Sequence, residues 1–316
     1  HEQRALTQDE VIDKVESFIQ SQLGEDIVEF KKPAHDLEDV IGFSRLKNFL
    51  KNELMPRMAG TGAEVPAGAA VCGPIGGGKT FIFEAVANQL GFPVLVLKNL
   101  RSQYFGQTDV IFERLRRALT ALGKVMIFVD EADTQFGGVG AEAHATERRL
   151  TGKIQAMMSD PRLRGRVFWL LMTARIHLLS PDIRRPGRVG DLIIPVLDPE
   201  GDDRRGFLQW VLDSVLPDAP EAAVDRLDEL TEGYSAAAFA SMRSHLRAKD
   251  PGTIDVVVAV VRDHIPSAIG PTRRYQTLQA LVNCTRRSLL PDANVSEEDR
   301  SAWQDEIRRL EAMGIR

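Results

Sequence analysis

Between a short apolar run, Ala69-Ala70-Val71-Cys72, and an amphipathic one beginning at Phe81 lies Gly73-Pro74-Ile75-Gly76-Gly77-Gly78-Lys79-Thr80. The first run has the length and character of a buried strand. Phe81, Ile82, Ala85, Val86 and Leu90 then recur at helical spacing. Glycines at such a strand-to-helix turn leave backbone N–H groups bare and pointing inward, as phosphate recognition requires. Lys79 adds a cation that can reach the β- and γ-phosphates, and Thr80 adds a hydroxyl that can ligate Mg²⁺. The bland alternative is a Gly-rich turn that carries Lys-Thr by coincidence, and the flanking strand and helix count against it. Pro74, Ile75, Gly76, Gly77, Gly78, Lys79, Thr80 and Phe81 are therefore expected to hold a nucleoside triphosphate.

The chain of 316 residues can bury a full core and divide into two or three units. A net charge of −5 argues against a general nucleic-acid or membrane-surface binder. No apolar run reaches the roughly 18 residues needed to span a bilayer, and no secretory leader is visible. Two cysteines, Cys72 and Cys284, suit a reduced, cytoplasmic compartment. The chain opens on His1 rather than Met and reads as a trimmed piece of a longer protein.

Thr7 and Glu10 form a capping-box pattern, and Val11, Ile12, Val15, Phe18, Ile19 and Leu23 share one helical face. Residues 1–38 are expected as this helix and a linker. Leu46, Phe49, Leu50 and Leu54 mark a second amphipathic helix. Further strands are expected at 93–97, 125–129, 167–172 and 192–196, with helices between them. That alternation predicts an α/β fold on a parallel sheet covered on both faces. Beyond Asp198-Pro199 the pattern turns helical, near 202–215, 220–231, 235–248 and 252–264, and again near 273–290 and 297–313.

The strand at 125–129 ends in Asp130-Glu131. Ligands of parallel sheets bind beyond the carboxyl ends of the strands, so this acid pair belongs beside the glycine loop. There Asp130 would hold the Mg²⁺ shell and Glu131 would polarise a water for in-line attack on the γ-phosphate.

Taken together, these motifs resemble the AAA family of the AAA+ ATPases from about Asp39 to about Leu246. Asp39-Val40-Ile41-Gly42 resembles the family's entry segment, whose backbone contacts adenine, which places Ile41 and Gly42 at the nucleotide. Ser180-Pro181-Asp182-Ile183-Arg184-Arg185-Pro186-Gly187-Arg188 resembles the second region of homology, and Arg185 and Arg188 match its arginine fingers. Gly233-Tyr234-Ser235-Ala236-Ala237 resembles the small-domain motif at the ribose and phosphates, assigning Ala236 and Ala237 to the nucleotide. Tyr104-Phe105-Gly106 matches the family's first pore loop, where an aromatic ring grips an extended polypeptide. A weaker candidate for a second pore loop is the Gly/Ala-rich stretch 137–146 with Arg148 and Arg149. The resemblance implies a large P-loop domain at 39–200, a helical lid at 201–268 and a C-terminal extension at 269–316. It also implies ATP and Mg²⁺ as cofactors, a homohexameric ring, and a protein substrate or adaptor as partner.

One position departs from the family. Met172-Thr173-Ala174-Arg175 puts Ala174 where the family places an Asn that positions the attacking water. Loss of such a group can slow hydrolysis by roughly 10²–10³, and Thr173 substitutes only if its hydroxyl points the same way. This departure supports one alternative, an ATP-gated scaffold with weak hydrolysis. A nucleic-acid-dependent ATPase of the same fold is a separate one, against which the acidic charge and the aromatic pore loop count. No His-Glu-x-x-His occurs, so a zinc protease site is not expected. Arg273-Arg274 and Arg286-Arg287 read as solvated helix faces, and His177 and His245 as surface or packing residues.

Overall fold

The computed structural model describes residues 13–14, 16–18, 20–21, 28–98, 108–136, 145–185, 187–264 and 268–316. Six strands form one sheet: β1 (Val28–Lys31), β2 (Gly68–Cys72), β3 (Val94–Leu97), β4 (Val125–Val129), β5 (Val167–Thr173) and β6 (Ile193–Pro195). Their spatial order is β1-β3-β4-β5-β2-β6. Five strands run parallel, and β1 pairs antiparallel with β3 through Val28 opposite Leu97 and Lys31 opposite Val94.

The sheet is parallel because helices carry the chain back between strands. After the glycine loop comes α3 (Lys79–Leu90), preceded by a rod that joins α1 (Ser44–Phe49) to α2 (Met55–Ala59) through a π-helical middle, Leu50–Leu54. Next come α4 (Thr108–Leu122), α5 (Ala132–Phe136) and α6 (Ala145–Met158). Strand β5 is buried at all seven positions, as expected where helices cover both faces. Alternate residues divide between the layers: Phe168, Leu170 and Met172 join Ile82, Phe83 and Val86 on one side. On the other, Val167, Trp169 and Leu171 join Leu115, Leu119 and Ile154.

Past β6 the chain is helical: α7 (Gly201–Leu212), α8 (Glu221–Leu230), α9 (Ala236–Lys249), α10 (Ile254–Asp263), α11 (Gly270–Asn283) and α12 (Glu297–Ala312). Two expectations differ from what forms. Residues 28–31, within the expected linker, are an edge strand, because Val28 is buried and Phe30 packs against the same layer. The helix expected to run to 290 stops at Asn283. There the chain turns to lie along β6, with the Thr285 N–H donating to the Ile193 carbonyl (3.3 Å) and the Ile193 N–H donating to Thr285 Oγ1 (2.9 Å). Those bonds cover the outer edge of β6, which would otherwise expose unpaired backbone. Among the described residues no helix is long and apolar enough to cross a membrane.

Candidate functional site

The three strand ends that matter lie side by side, since β5 sits between β4 and β2. The glycine loop follows β2 and the acid pair follows β4, so both flank one cavity of about 900 Å³. Such a position beyond the carboxyl edge is where open parallel sheets bind ligands.

The loop's conformation demands its glycines. Gly73 has φ 147°, and a Cβ there would lie 2.0 Å from the Val196 carbonyl oxygen, which no side chain can tolerate. Gly76 and Gly78 are left-handed, at φ 77° and 85°. Lys79 is mostly buried at the start of α3, and burial pulls its pKa below the usual lysine value. Its Nζ donates to the loop's own carbonyls, Gly73 O at 2.9 Å and Pro74 O at 3.0 Å. The ammonium is thereby held across the mouth of the loop, where a phosphate would meet it.

Thr80 Oγ1 lies 3.4 Å from Asp130 Oδ2, so the loop and the acid strand meet through two oxygens. Glu131 adopts a left-handed φ of 46°, a conformation costing a non-glycine residue of order 1 kcal/mol or more. Its carbonyl accepts the Thr134 N–H at 2.8 Å and so starts α5, which leaves the carboxylate exposed at the cavity.

Of the positions expected from sequence, Ile41, Ile75, Gly76, Gly77, Gly78, Lys79, Thr80, Phe81, Asp130, Glu131, Ala236 and Ala237 all line this cavity. Pro74 and Gly42 stand behind it. Pro74 accepts the Gly77 N–H at 3.2 Å. Gly42 is left-handed, with Phe207 3.0 Å from where its Cβ would be. Ala237 N–H donates to the Gly76 carbonyl at 3.0 Å, joining α9 to the loop. Arg185 and Arg188 are not among the lining residues. Arg185 is exposed and pairs with Asp182 at 2.8 Å, while Arg188 donates to the Asp182 carbonyl at 2.6 Å. Tyr104, Phe105 and residues 137–144 lie outside the described residues.

The side chain of Thr173 does not substitute for the missing Asn. Its hydroxyl is buried and donates to Asp133 Oδ1 at 2.5 Å, while accepting the Arg175 N–H at 2.8 Å. Asp133 also pairs with the Arg175 guanidinium at 2.6 Å. Ala174 therefore leaves a bare methyl at the strand end.

Several lining residues went unread in the sequence. Phe43, Phe207, Trp210 and Ala240 form an apolar bay beside Val40 and Ile41. Thr272 and Gln276 come from α11, in the C-terminal extension. Arg273 is no solvated face: it is largely buried and grips the Asp198 carboxylate at 2.5 and 2.6 Å. Burial raises the Asp198 pKa, against the opposing pull of Arg273. Arg274 pairs with Glu306 of α12 at 2.8 Å. Only contact between distant segments could have marked these residues.

Comparison with known proteins points the same way. Residues 69–195 match the model of the AAA family, ATPases associated with various cellular activities. The chain is similar to the cell division cycle protein 48 homolog of Archaeoglobus fulgidus, 29% identical over 187 residues, covering 58% of this chain and 25% of that protein. It is also similar to the ATP-dependent zinc metalloprotease FtsH of Mycobacterium tuberculosis, 29% identical over 241 residues, covering 72% of this chain and 30% of that protein. The chain thus spans about a quarter of the length of the curated relatives it matches. Its fold is that of the FIGL-1 AAA domain crystal structure, with TM-score 0.62 at 20% identity over 93% of this chain and 95% of that one. A second FIGL-1 AAA domain structure, in complex with ADP, gives TM-score 0.57 at 21% identity over 97% and 99%.

Proposed function

We propose that the chain is an ATPase of the AAA family, whose model residues 69–195 match, and that it hydrolyses ATP to remodel a protein substrate. The observation that carries this reading is the meeting of Lys79, Thr80, Asp130 and Glu131 around one cavity at the ends of neighbouring parallel strands. The ADP complex of the similarly folded FIGL-1 domain supports reading that cavity as a nucleotide site.

Each residue has a physical role in this proposal. The bare loop amides and Lys79 hold the phosphates. The apolar bay of Ile41, Phe207 and Trp210 takes the base, where a flat ring buries its faces. Glu131 would accept a proton from the attacking water as that water bonds to the γ-phosphorus and the bond from that phosphorus to the β,γ-bridging oxygen breaks, with ADP as the leaving group. Thr80 and Asp130 are adjacent hard oxygen donors, the ligand chemistry that suits Mg²⁺. They would hold the ion, which when bound neutralises charge on the phosphate oxygens.

Arg185 and Arg188 stand outside their own cavity, which supports a role at a neighbour's. A planar guanidinium from the next subunit would complete the site, making turnover depend on a ring, proposed here as a homohexamer. In the same reading residues 39–200 are the ATPase unit, 201–268 a lid that moves with nucleotide state, and Tyr104 and Phe105 the grip on substrate.

Phosphate release by the full chain tests hydrolysis, with Glu131→Gln as control. Turnover at the control's level would refute it. Loss of remodelling but not of ATPase in Tyr104→Ala is expected if the aromatic loop pulls substrate, and intact remodelling would remove that part. Ala174, with Thr173 committed to Asp133, favours a second reading: an ATP-gated scaffold whose rings form on binding but turn over negligibly.

A further inference from the structure

We propose that α11 is a strut that positions both ends of the catalytic apparatus, holding the phosphate loop through Gln276 and Arg273 and the arginine-bearing turn through Asn283. This rests on the nucleotide reading above and extends it to a helix that the sequence left without a role.

At its first turns, α11 grips both backbone groups of one loop residue. The Ile75 N–H donates to Gln276 Oε1 at 3.0 Å, and the Ile75 carbonyl accepts from the Arg273 guanidinium. The same guanidinium holds Asp198, where the chain leaves β6 for α7. At its last turn, Asn283 Oδ1 accepts from Arg184 Nη1 at 3.2 Å, and Arg184 Nε donates to the Leu179 carbonyl at 3.0 Å. Arg184 immediately precedes Arg185, the first of the two arginines assigned to a neighbour's site.

The residues between are linked as well. Asn283 Nδ2 donates to the Gln279 carbonyl at 2.8 Å, and Gln279 Nε2 donates to the Tyr275 hydroxyl at 3.0 Å. Tyr275 in turn donates to Glu311 of α12 at 2.8 Å. Residues 273, 276, 280 and 283 repeat at helical spacing along one face, and Ala280 between the two grips is buried in the core. Gln276 and Gln279 are buried too, which is unfavourable for amides unless they are hydrogen-bonded. An apolar residue at 276 would pack there, so the amide is explained by the loop N–H it satisfies. A helix is stiff over this span of about 10 residues, roughly 15 Å. Displacement of Ile75 is therefore carried to Arg184, and the two ends of one helix serve two different nucleotide sites.

Paired substitutions in the full chain test this. Gln276→Met removes the acceptor for the Ile75 N–H, and Gln276→Glu keeps it. A fluorescent ADP analogue is expected to bind the Met variant about fivefold more weakly than the parent, and the Glu variant, which keeps the acceptor, more tightly than the Met variant. Asn283→Leu frees Arg184, and Asn283→Asp keeps its acceptor. The Leu variant is expected to bind the analogue normally while its kcat falls about tenfold, and the Asp variant to retain both. Mixing Asn283→Leu with Glu131→Gln subunits should restore turnover in the Leu variant's own pockets, since intact turns now face them. A parent that binds nucleotide without turnover refutes the hydrolysis reading, and the strut is then judged on the Gln276 pair alone. Equal affinities across that pair, or equal kcat across the Asn283 pair in an active parent, overturn it.

Discussion

In the proposed reaction, Ala174 is the residue expected to limit the rate. Its neighbour's hydroxyl is spent on Asp133, so nothing from β5 offers a hydrogen bond to a water near Glu131. Ala174→Asn is expected to raise kcat by about tenfold or more with little change in KM, measured by steady-state phosphate release. Gly73 is fixed by sterics rather than chemistry, since any Cβ meets the Val196 carbonyl at 2.0 Å. Gly73→Ala should cost about 2–4 kcal/mol in urea unfolding, at the upper end for single substitutions. At this scale the convergence of Lys79, Thr80, Asp130 and Glu131 on one cavity was legible in the sequence, because each follows the end of a parallel strand. The Asp133–Thr173–Arg175 node and the Arg273–Asp198 pair were not. Each joins segments whose proximity exists only once the strand order is known.

Elements were legible in proportion to their periodicity and length. The five parallel strands stood out as apolar runs, whereas β1 has four residues with only one buried side chain and reads as linker. The overlong helix at 273–290 shows a different limit. Its apolar spacing continues past Asn283, yet the hydrogen bonds that the Thr285 backbone and hydroxyl make with Ile193 outcompete another helical turn. The last helix opens on a capping box. Ser296 Oγ accepts the Asp299 N–H at 3.1 Å, and Asp299 accepts the Ser296 N–H at 2.9 Å. Ser296→Ala is expected to lower stability by about 1 kcal/mol, read as a shift in the urea midpoint with unchanged slope. An unchanged midpoint would mean that α12 contributes little to the cooperative fold.

Across the whole molecule, pH should bear on stability through the contact between β5's exit and the C-terminal helices. His177 packs edge-on against Tyr275, ring centroids 5.2 Å apart, and burial lowers its pKa below 6.5. Glu311 and Asp133 pull that pKa back up, while Arg175 and Arg316 push it further down. The neutral ring is thus favoured in the folded state. Its contribution is complete above the unfolded value of about 6.5 and is lost as pH falls toward the folded one. Thermal midpoints should therefore decline more between about pH 7 and pH 5.5 for the parent than for His177→Asn, which has no such titration. Parallel profiles would contradict this assignment.

The central claim, that the cavity beyond β2 and β4 receives a nucleoside triphosphate, is tested most directly by calorimetric titration of the full chain with ATP and magnesium. One site per chain is expected, with affinity weakened at least about tenfold by Lys79→Ala. Equal affinity in the parent and the Lys79→Ala variant, or no heat from either, would contradict it.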